Sequence, residues 1–136
     1  GQRLANLAGV VSGGELSRVS LAIQAVISSK FKIPTLVFDE VDSGIGGSTA
    51  SVVGWKLREV SANCQVLCIT HSPQVASAGD HHYLIDKITR GKNSVVEIKY
   101  LKQDAKESEI SRMLGSQTPS GTALEHAREL MKSFKA

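Results

Sequence analysis

The stretch TLVFDEVDSGIGG, Thr35 to Gly47, changes abruptly from apolar to acidic. Its opening run, TLVF, is short, apolar and β-prone, as in a strand covered on both faces of a sheet. The run stops at Asp39 and Glu40, so both carboxylates lie at the carboxyl end of the predicted strand. A glycine-rich loop over 42–47 leads to a helical pattern over about 48–61. The stretch thus predicts a strand, a loop and a helix in succession.

A second apolar strand follows the predicted helix. This strand, QVLCIT, ends directly before His71. Strand, helix and strand within about 35 residues predict a right-handed βαβ crossover with parallel strands. The carboxyl ends of parallel strands share one edge, where ligands bind in open α/β sheets. We therefore expect Asp39, Glu40 and His71 to face one crevice.

An amphipathic helix is predicted upstream, over Glu15 to Ser29, with Ser12, Gly13 and Gly14 at its amino end. A helix amino end carries about half a positive charge and free amides, so these residues could hold a phosphate. The structural alternative is a serine N-cap with flexible glycines. No lysine follows the glycines, and the chain contains no GxxxxGK[ST] loop. A phosphate site at this helix would therefore lack the usual lysine.

The two carboxylates and the histidine fit nucleotide chemistry. Asp39 has the character of a Walker B carboxylate, which holds Mg²⁺ beside a nucleotide. Glu40 could accept a proton from the attacking water or orient that water. The imidazole of His71 could donate a hydrogen bond to a γ-phosphate. Each of these roles has a structural alternative. Paired carboxylates at a strand end can be merely solvated, and a histidine can cap a helix starting at Ser72.

A hairpin is predicted in the last third of the chain. The alternating runs YLIDKI and SVVEIKY, joined by TRGKN, are typical of two antiparallel strands. Basic residues cluster in and around it, at Lys87, Arg90, Lys92, Lys99 and Lys102. These residues could attract DNA phosphates, or they could protect exposed strand edges against unwanted pairing.

Two helices are predicted after the hairpin. Asp104 and Glu107 have the spacing of a capping box, Gly115 ends that helix, and a final helix begins at about Ser120. The 41% hydrophobic and 21% charged residues are typical of an ordinary soluble globular protein, and we expect 1–136 to form a single domain. No apolar run approaches the ~20 residues of a membrane span, which excludes an integral membrane segment. The net charge of +3 is compatible with a polyanionic partner.

Four motifs, in this order, resemble those of the ABC-type ATPases. SGGE resembles the signature motif, LVFDE the Walker B motif, VDSGIGG the D-loop and ITH the switch histidine. Within that superfamily, SGGELSRVSLAIQAV, FDEVDSGIGG, THSPQVAS, SRMLG and HAREL resemble the carboxyl-terminal part of the RecN family of SMC-like bacterial DNA repair proteins. The resemblance implies an ABC-type head lobe without its Walker A lobe. Such a lobe has a mainly parallel sheet flanked by helices, then an antiparallel hairpin and two helices.

The resemblance also implies roles for the site residues. In this superfamily ATP is sandwiched between two heads, so the signature motif contacts a phosphate that the other head holds, and it needs no lysine. Asp39 would serve Mg²⁺, Glu40 would be the catalytic carboxylate, and His71 would sense the γ-phosphate. Further contacts to the nucleotide, including one from the D-loop across the dimer interface, would come from Ser12, Gly13, Gly14, Glu15 and Asp42.

The function implied is that of an ATPase-head lobe in DNA double-strand break repair and recombination, in the cytoplasm with the nucleoid. Its partners would be the amino-terminal Walker A lobe, a second head and DNA, and the lobe alone is expected to be inactive. One alternative is the nucleotide-binding domain of an ABC transporter, which would normally carry the lysine loop on the same short chain. Another is a non-hydrolysing interaction module, against which the intact Asp39-Glu40 pair argues.

Overall fold

A computed structural model describes residues 12–27, 30, 33–90, 93–116 and 121–135. The elements in chain order are α1 (Gly13–Ile27), β1 (Thr35–Asp39), α2 (Gly47–Ser61), β2 (Gln65–Ile69), α3 (Pro73–Ala78), β3 (His82–Arg90), β4 (Asn93–Leu101), α4 (Gln103–Met113) and α5 (Gly121–Ser133). The chain divides into two compact units, Gly1–Ala78 and Gly79–Ala136. The α/β class is confirmed, whereas a single domain over 1–136 remains a prediction.

The first unit is built on the predicted βαβ segment. Strands β1 and β2 pair in parallel, in a register that runs from Thr35 opposite Gln65 to Asp39 opposite Ile69. This register brings the carboxyl ends of the two strands to the same edge, as the sequence predicts. The helix between them begins at Gly47 and ends at Ser61, close to the predicted bounds.

One face of this parallel sheet is covered and the other is open. Alternate residues of the two strands pack against the core, whose buried members are Leu21, Phe38, Val41, Ala50, Val53, Leu57, Val60 and Val75. On the opposite face Val37, Leu67 and Ile69 are 64%, 48% and 52% exposed. The expectation of a strand covered on both faces is therefore met on one face only, because the sheet of the described residues has helices packed on a single side.

The second unit contains the predicted hairpin. Strands β3 and β4 pair antiparallel from His82 opposite Leu101 to Arg90 opposite Asn93. One face of the hairpin is apolar and exposed, with the side chains of Tyr83, Ile85, Val96, Ile98 and Tyr100. Lys99 on the other face pairs with Glu97 at 2.9 Å, so this lysine is neutralised within the hairpin. Lys92, which the sequence also placed among the basic residues of this region, lies outside the described residues.

The predicted capping box of α4 is wrong. The helix begins at Gln103, and its N-cap is Lys102, which has extended backbone angles and makes no side-chain capping bond. Asp104 therefore lies inside the first turn, where a carboxylate still favours the helix dipole. The carboxylate of Glu107 instead accepts hydrogen bonds from Arg128 Nε at 2.7 Å and from Gln103 Nε2 at 3.1 Å. The bond from Arg128 is the main reason that the pKa of Glu107 is lowered.

The predicted end of α4 is confirmed. The last helical residue is Met113, and Gly115 has a φ of 97°, in the left-handed region that favours glycine. Helix α5 then begins at Gly121, and the preceding residues 117–120 lie outside the described part of the chain. Helix α5 supplies the buried side chains Ala127 and Met131, and Phe134 is buried just beyond the helix. Within the described ranges, none of the helices could cross a membrane by its length and apolar content.

Because His82 is partly buried, we expect the protein to lose stability in acid. Its Nδ1 is buried and has no hydrogen-bond partner among the described residues. Burial lowers the pKa of His82 and the buried Lys106 lowers it further, while Glu109 opposes them. Because the folded pKa lies below the unfolded pKa of about 6.5, the unfolded state takes up protons first as the pH falls. The stability is therefore fully present above about pH 7.5 and declines as the pH falls through 6.5.

Denaturant unfolding between about pH 8 and pH 5 measures this effect. The free energy of unfolding is expected to fall with pH more steeply in the unsubstituted chain than in His82→Leu, which cannot take up this proton. Equal slopes for the two proteins would exclude His82 as the source.

Candidate functional site

The two predicted carboxylates, Asp39 for Mg²⁺ and Glu40 for catalysis, lie at the carboxyl edge of the parallel sheet. Asp39 is the last residue of β1, and Glu40 follows it at the start of a turn in which Ser43 N–H donates to Glu40 O at 3.0 Å. Both side chains are exposed. Glu40 has a φ of 58°, and it alone among the described non-glycine residues has a positive φ. A left-handed residue with a side chain costs about 1–2 kcal/mol, so the fold holds Glu40 in a strained position.

A capping box forms the amino end of α1. Ser12 N–H donates to Glu15 Oε2 at 2.8 Å, and Glu15 N–H donates to Ser12 Oγ at 3.3 Å. The backbone hydrogen bond from Ser12 is the main reason that the pKa of Glu15 is lowered. The serine N-cap that the sequence left as the structural alternative is thus present. The S-x-x-E spacing could have predicted it directly.

The capping box leaves several hydrogen-bond donors at this helix end available to bind a phosphate. Gly13 and Gly14 occupy the first turn, where backbone N–H groups have no acceptor within the helix. The Ser12 hydroxyl accepts one bond through its oxygen and keeps its own proton to donate. Capping and phosphate binding are therefore chemically compatible at this helix end.

The two glycines also allow close packing. A Cβ atom on Gly14 would lie 2.8 Å from both the Cβ and the backbone oxygen of Ser43. A Cβ atom on Gly13 would lie 3.0 Å from Oε2 of Glu40. The amino end of α1 therefore packs closely against the turn that carries Glu40. This second reason for glycine at both positions was not evident from the sequence.

Asp42 is buried within the turn, with 1% of its surface exposed. Its Oδ2 accepts hydrogen bonds from Thr70 Oγ1, from His71 N–H at 3.0 Å and from Ser72 N–H at 2.9 Å. Burial alone would raise the pKa of Asp42, but these hydrogen bonds outweigh it and lower the pKa below its ordinary value. The side chain thus ties the loop after β1 to the loop after β2. A contact of Asp42 with a second head stays a prediction.

The His71 side chain is 81% exposed, and its Nδ1 lies 3.5 Å from Asp42 Oδ2. The two ring nitrogens lie on different sides of the imidazole, so Nε2 is the nitrogen left for a ligand. His71 does not cap the following helix. That cap is Ser72, whose Oγ accepts from Val75 N–H at 3.5 Å, and Pro73 opens α3.

Two residues of this site were missed by the sequence analysis. Arg18 of α1 donates through Nη1 to Ser43 O at 2.8 Å and to Val41 O at 3.5 Å. Thr70 supplies a hydroxyl donor to Asp42. Arg18 lies four residues after Gly14, on the same side of the helix, and this spacing was the available signal.

The site could hold Mg²⁺ only where water and nucleotide phosphates supply most of the ligands, as in nucleotide-dependent enzymes. In the described segments no three His, Cys, Asp or Glu side chains form a group that could hold a metal ion. Mg²⁺ usually keeps several waters and takes one or two carboxylates together with phosphate oxygens. The exposed carboxylate of Asp39 suits that mode, in which most ligands come from water and nucleotide.

Comparison with known sequences supports the resemblance to RecN, although no family model matches the chain. The chain is 47% identical over 131 residues to the DNA repair protein RecN of Haemophilus influenzae and 45% identical over 131 residues to that of Vibrio cholerae. RecN of Bacillus subtilis is 42% identical over 132 residues. These alignments cover 96%, 96% and 97% of the chain but only 24%, 24% and 23% of the three relatives. The chain therefore spans about a quarter of the length of the RecN proteins it matches.

Comparison of the folds agrees with this result. A solved structure from work on ATP-driven dimerization and DNA-stimulated activation of SMC ATPases aligns with a TM-score of 0.56. The alignment covers 88% of this chain and 70% of that chain at 20% identity, so it shows the fold alone. The predicted α/β fold is confirmed. The resemblance to the RecN family is thereby confirmed over the quarter of the RecN length that the chain spans.

Proposed function

We propose that this chain is the carboxyl-terminal lobe of a RecN-type ATPase head that acts in DNA double-strand break repair and recombination. Residues 70–72, between β2 and α3, form what we call the His71 loop. The observation that carries the proposal is that Asp39, Glu40 and the His71 loop lie at one edge of the parallel sheet, beside the amino end of α1. The sequence contains no GxxxxGK[ST] loop that would supply a phosphate-binding lysine to these groups. The lobe therefore has carboxylates, a histidine and helix amides, but only part of a nucleotide site.

Each group has a distinct role in this proposal. Asp39 would hold Mg²⁺, which would supply positive charge to neutralise the nucleotide phosphates. Glu40 takes a proton from the attacking water or orients it. Nε2 of His71 faces the γ-phosphate. The N–H groups of Gly13 and Gly14 and the hydroxyl of Ser12 bind the phosphate of a nucleotide held by a second head, and Glu15 holds this helix end in place through the capping box.

The open face of the parallel sheet supports an amino-terminal Walker A lobe as the first partner. Parallel sheets occur almost only with both faces covered, yet Val37, Leu67 and Ile69 lie exposed on one face. About three quarters of the length of the RecN relatives lies outside this chain. The missing lobe would cover this face and bring the lysine-bearing loop to the edge that carries Asp39.

The second partner is another head, and the third is DNA. The SMC ATPase structure with the related fold comes from work on ATP-driven dimerization and DNA-stimulated activation, and the relatives are DNA repair proteins. By this likeness two heads would enclose ATP and the full protein would act on DNA. The location that follows from this function is the cytoplasm, with the nucleoid.

Reconstitution of MgATP turnover tests this function. The 136-residue chain alone is expected to hydrolyse no ATP, whereas the chain combined with the Walker A lobe of the same protein turns over, and linear DNA raises the rate. Turnover by the chain alone would contradict the split site. A well-folded pair of lobes with no turnover would favour the interaction module, and binding to a transmembrane subunit without any DNA effect would favour the transporter.

A further inference from the structure

The turn Val41–Ser43 lies between α1 and the loop that carries His71, and it is bonded to both. Val41 and Asp42 are buried, and Ile45 N–H donates to Asp42 O at 3.4 Å. A closely packed turn of this kind cannot absorb a displacement locally, because buried interiors have few voids into which atoms can move.

Arg18 makes the bond on the α1 side. Its Nη1 donates to the carbonyl oxygens of Val41 and Ser43, which flank Asp42 in the chain. Gly14 brings the helix against Ser43 at the same place, where an added Cβ would be 2.8 Å from the backbone. The amino end of α1 and this turn are therefore fixed to one another by a charged donor and by direct packing.

Asp42 makes the bond on the His71 side. One oxygen, Oδ2, accepts from the Thr70 hydroxyl and from the backbone N–H groups of His71 and Ser72. Oδ1 is buried without a hydrogen-bond partner among the described residues, so the bonds of this side chain to the His71 loop are made through Oδ2. Two of the three donors are backbone groups, and Asp42 therefore fixes the main chain that places His71.

We propose that Arg18 and Asp42 are positioning residues that set the His71 loop relative to the amino end of α1 within one head. A displacement of α1 moves the two carbonyl groups that Arg18 holds, and Asp42 carries that movement to the amides of His71 and Ser72. The inference deepens the proposed function and rests on it for its role in ATP hydrolysis. Phosphate bound at the helix of a head would then alter the position of the same head's His71.

Amide hydrogen exchange in the full-length protein tests the linkage without relying on catalysis. Asp42→Ala is expected to raise exchange at His71 and Ser72 by about tenfold or more, because both amides lose their acceptor. Arg18→Ala is expected to raise exchange at the same two amides by about threefold or more, although Arg18 contacts neither of them. Asp42→Asn and Arg18→Lys keep part of each contact and should give intermediate values.

Arg58→Ala is the matched control. Arg58 lies on α2 and also donates through Nη1 to a backbone oxygen, that of Ala78, at 2.7 Å. Its loss should leave exchange at His71 and Ser72 within about twofold of the unsubstituted protein. Equal exchange in Arg18→Ala and Arg58→Ala at these amides would overturn the linkage. A uniform rise over α2 and β2 in both Arg18 variants would assign Arg18 to general stability and overturn it as well.

Steady-state kinetics of the same variants give the second readout. In Arg18→Ala the kcat for MgATP is expected to fall about threefold or more, with KM within about twofold, because a misplaced His71 affects turnover more than ground-state binding. A rise in KM of about threefold or more with unchanged kcat would contradict a positioning role. If the unsubstituted protein shows no turnover while Arg18→Ala still raises exchange at His71, the linkage stands and the proposed function fails.

Discussion

Glutamine in place of Glu40 is expected to reduce MgATP turnover by the complete head by about 10²- to 10⁴-fold, the usual contribution of a general base. Glutamine keeps the size of the side chain but cannot accept the proton of the attacking water. The side chain of Glu40 is exposed, so its replacement leaves no buried group without a partner. Nucleotide binding should therefore persist while kcat falls.

Turnover and equilibrium ATP binding, measured on the same preparation, separate these two effects. Glu125→Gln is the matched control, because Glu125 is exposed on α5, in the other compact unit. It should turn over ATP at the unsubstituted rate. A Glu40→Gln head that retains full turnover would remove Glu40 as the catalytic base. Equal losses of binding and turnover would indicate that this carboxylate holds the nucleotide instead.

The order of elements could be predicted because each leaves a local pattern in the sequence. Apolar runs ending at Asp39 and Thr70 predicted two strands, and their parallel pairing followed from the helix between them. The helix expected after His71 is present as α3, which Pro73 opens because proline suits the first helical turn. Gly115 marked the end of α4 because its positive φ is one that glycine adopts readily. Such constraints act between residues that are close together in the chain.

The first turn of α4 shows where local patterns fail. Asp104 and Glu107 have capping-box spacing, but Arg128 from α5 takes the Glu107 carboxylate. A charged partner on another element outcompetes a backbone N–H for that carboxylate, since ion-assisted hydrogen bonds are the stronger ones. The partner is distant in sequence, so no local pattern could reveal it.

The interior of the candidate site could not be predicted for the same reason. The sequence identifies Asp42 as a polar residue in a glycine-rich loop, and such a residue is normally solvated. The structure buries it beneath donors from Thr70, His71 and Ser72, all about thirty residues away in the chain. Similarly, the bonds of Arg18 depend on how closely α1 approaches the turn. The motifs give the residue types of the site, and the tertiary contacts give their partners.

Alanine at Gly14 is expected to lower the free energy of unfolding by about 1–3 kcal/mol, the cost of adding a methyl group to a packed site. The added Cβ would lie 2.8 Å from the backbone oxygen of Ser43, so either the helix or the turn must move. A gain of about 1 kcal/mol from the higher helix propensity of alanine reduces this cost but does not remove it. Denaturant unfolding of the 136-residue chain measures the difference.

Gly13→Ala is the matched control at the neighbouring position. Its Cβ would meet only Oε2 of Glu40 at 3.0 Å, the end of an exposed and flexible side chain. The carboxylate can rotate away, so stability should be unchanged or raised by up to about 1 kcal/mol. Equal destabilisation by the two substitutions would contradict the packing role of Gly14. Both variants could lose ATP turnover in the complete head while only Gly14→Ala loses stability. That result would separate the phosphate-binding role of the glycine pair from its packing role, because Gly13 would then be needed for the ligand but not for the fold.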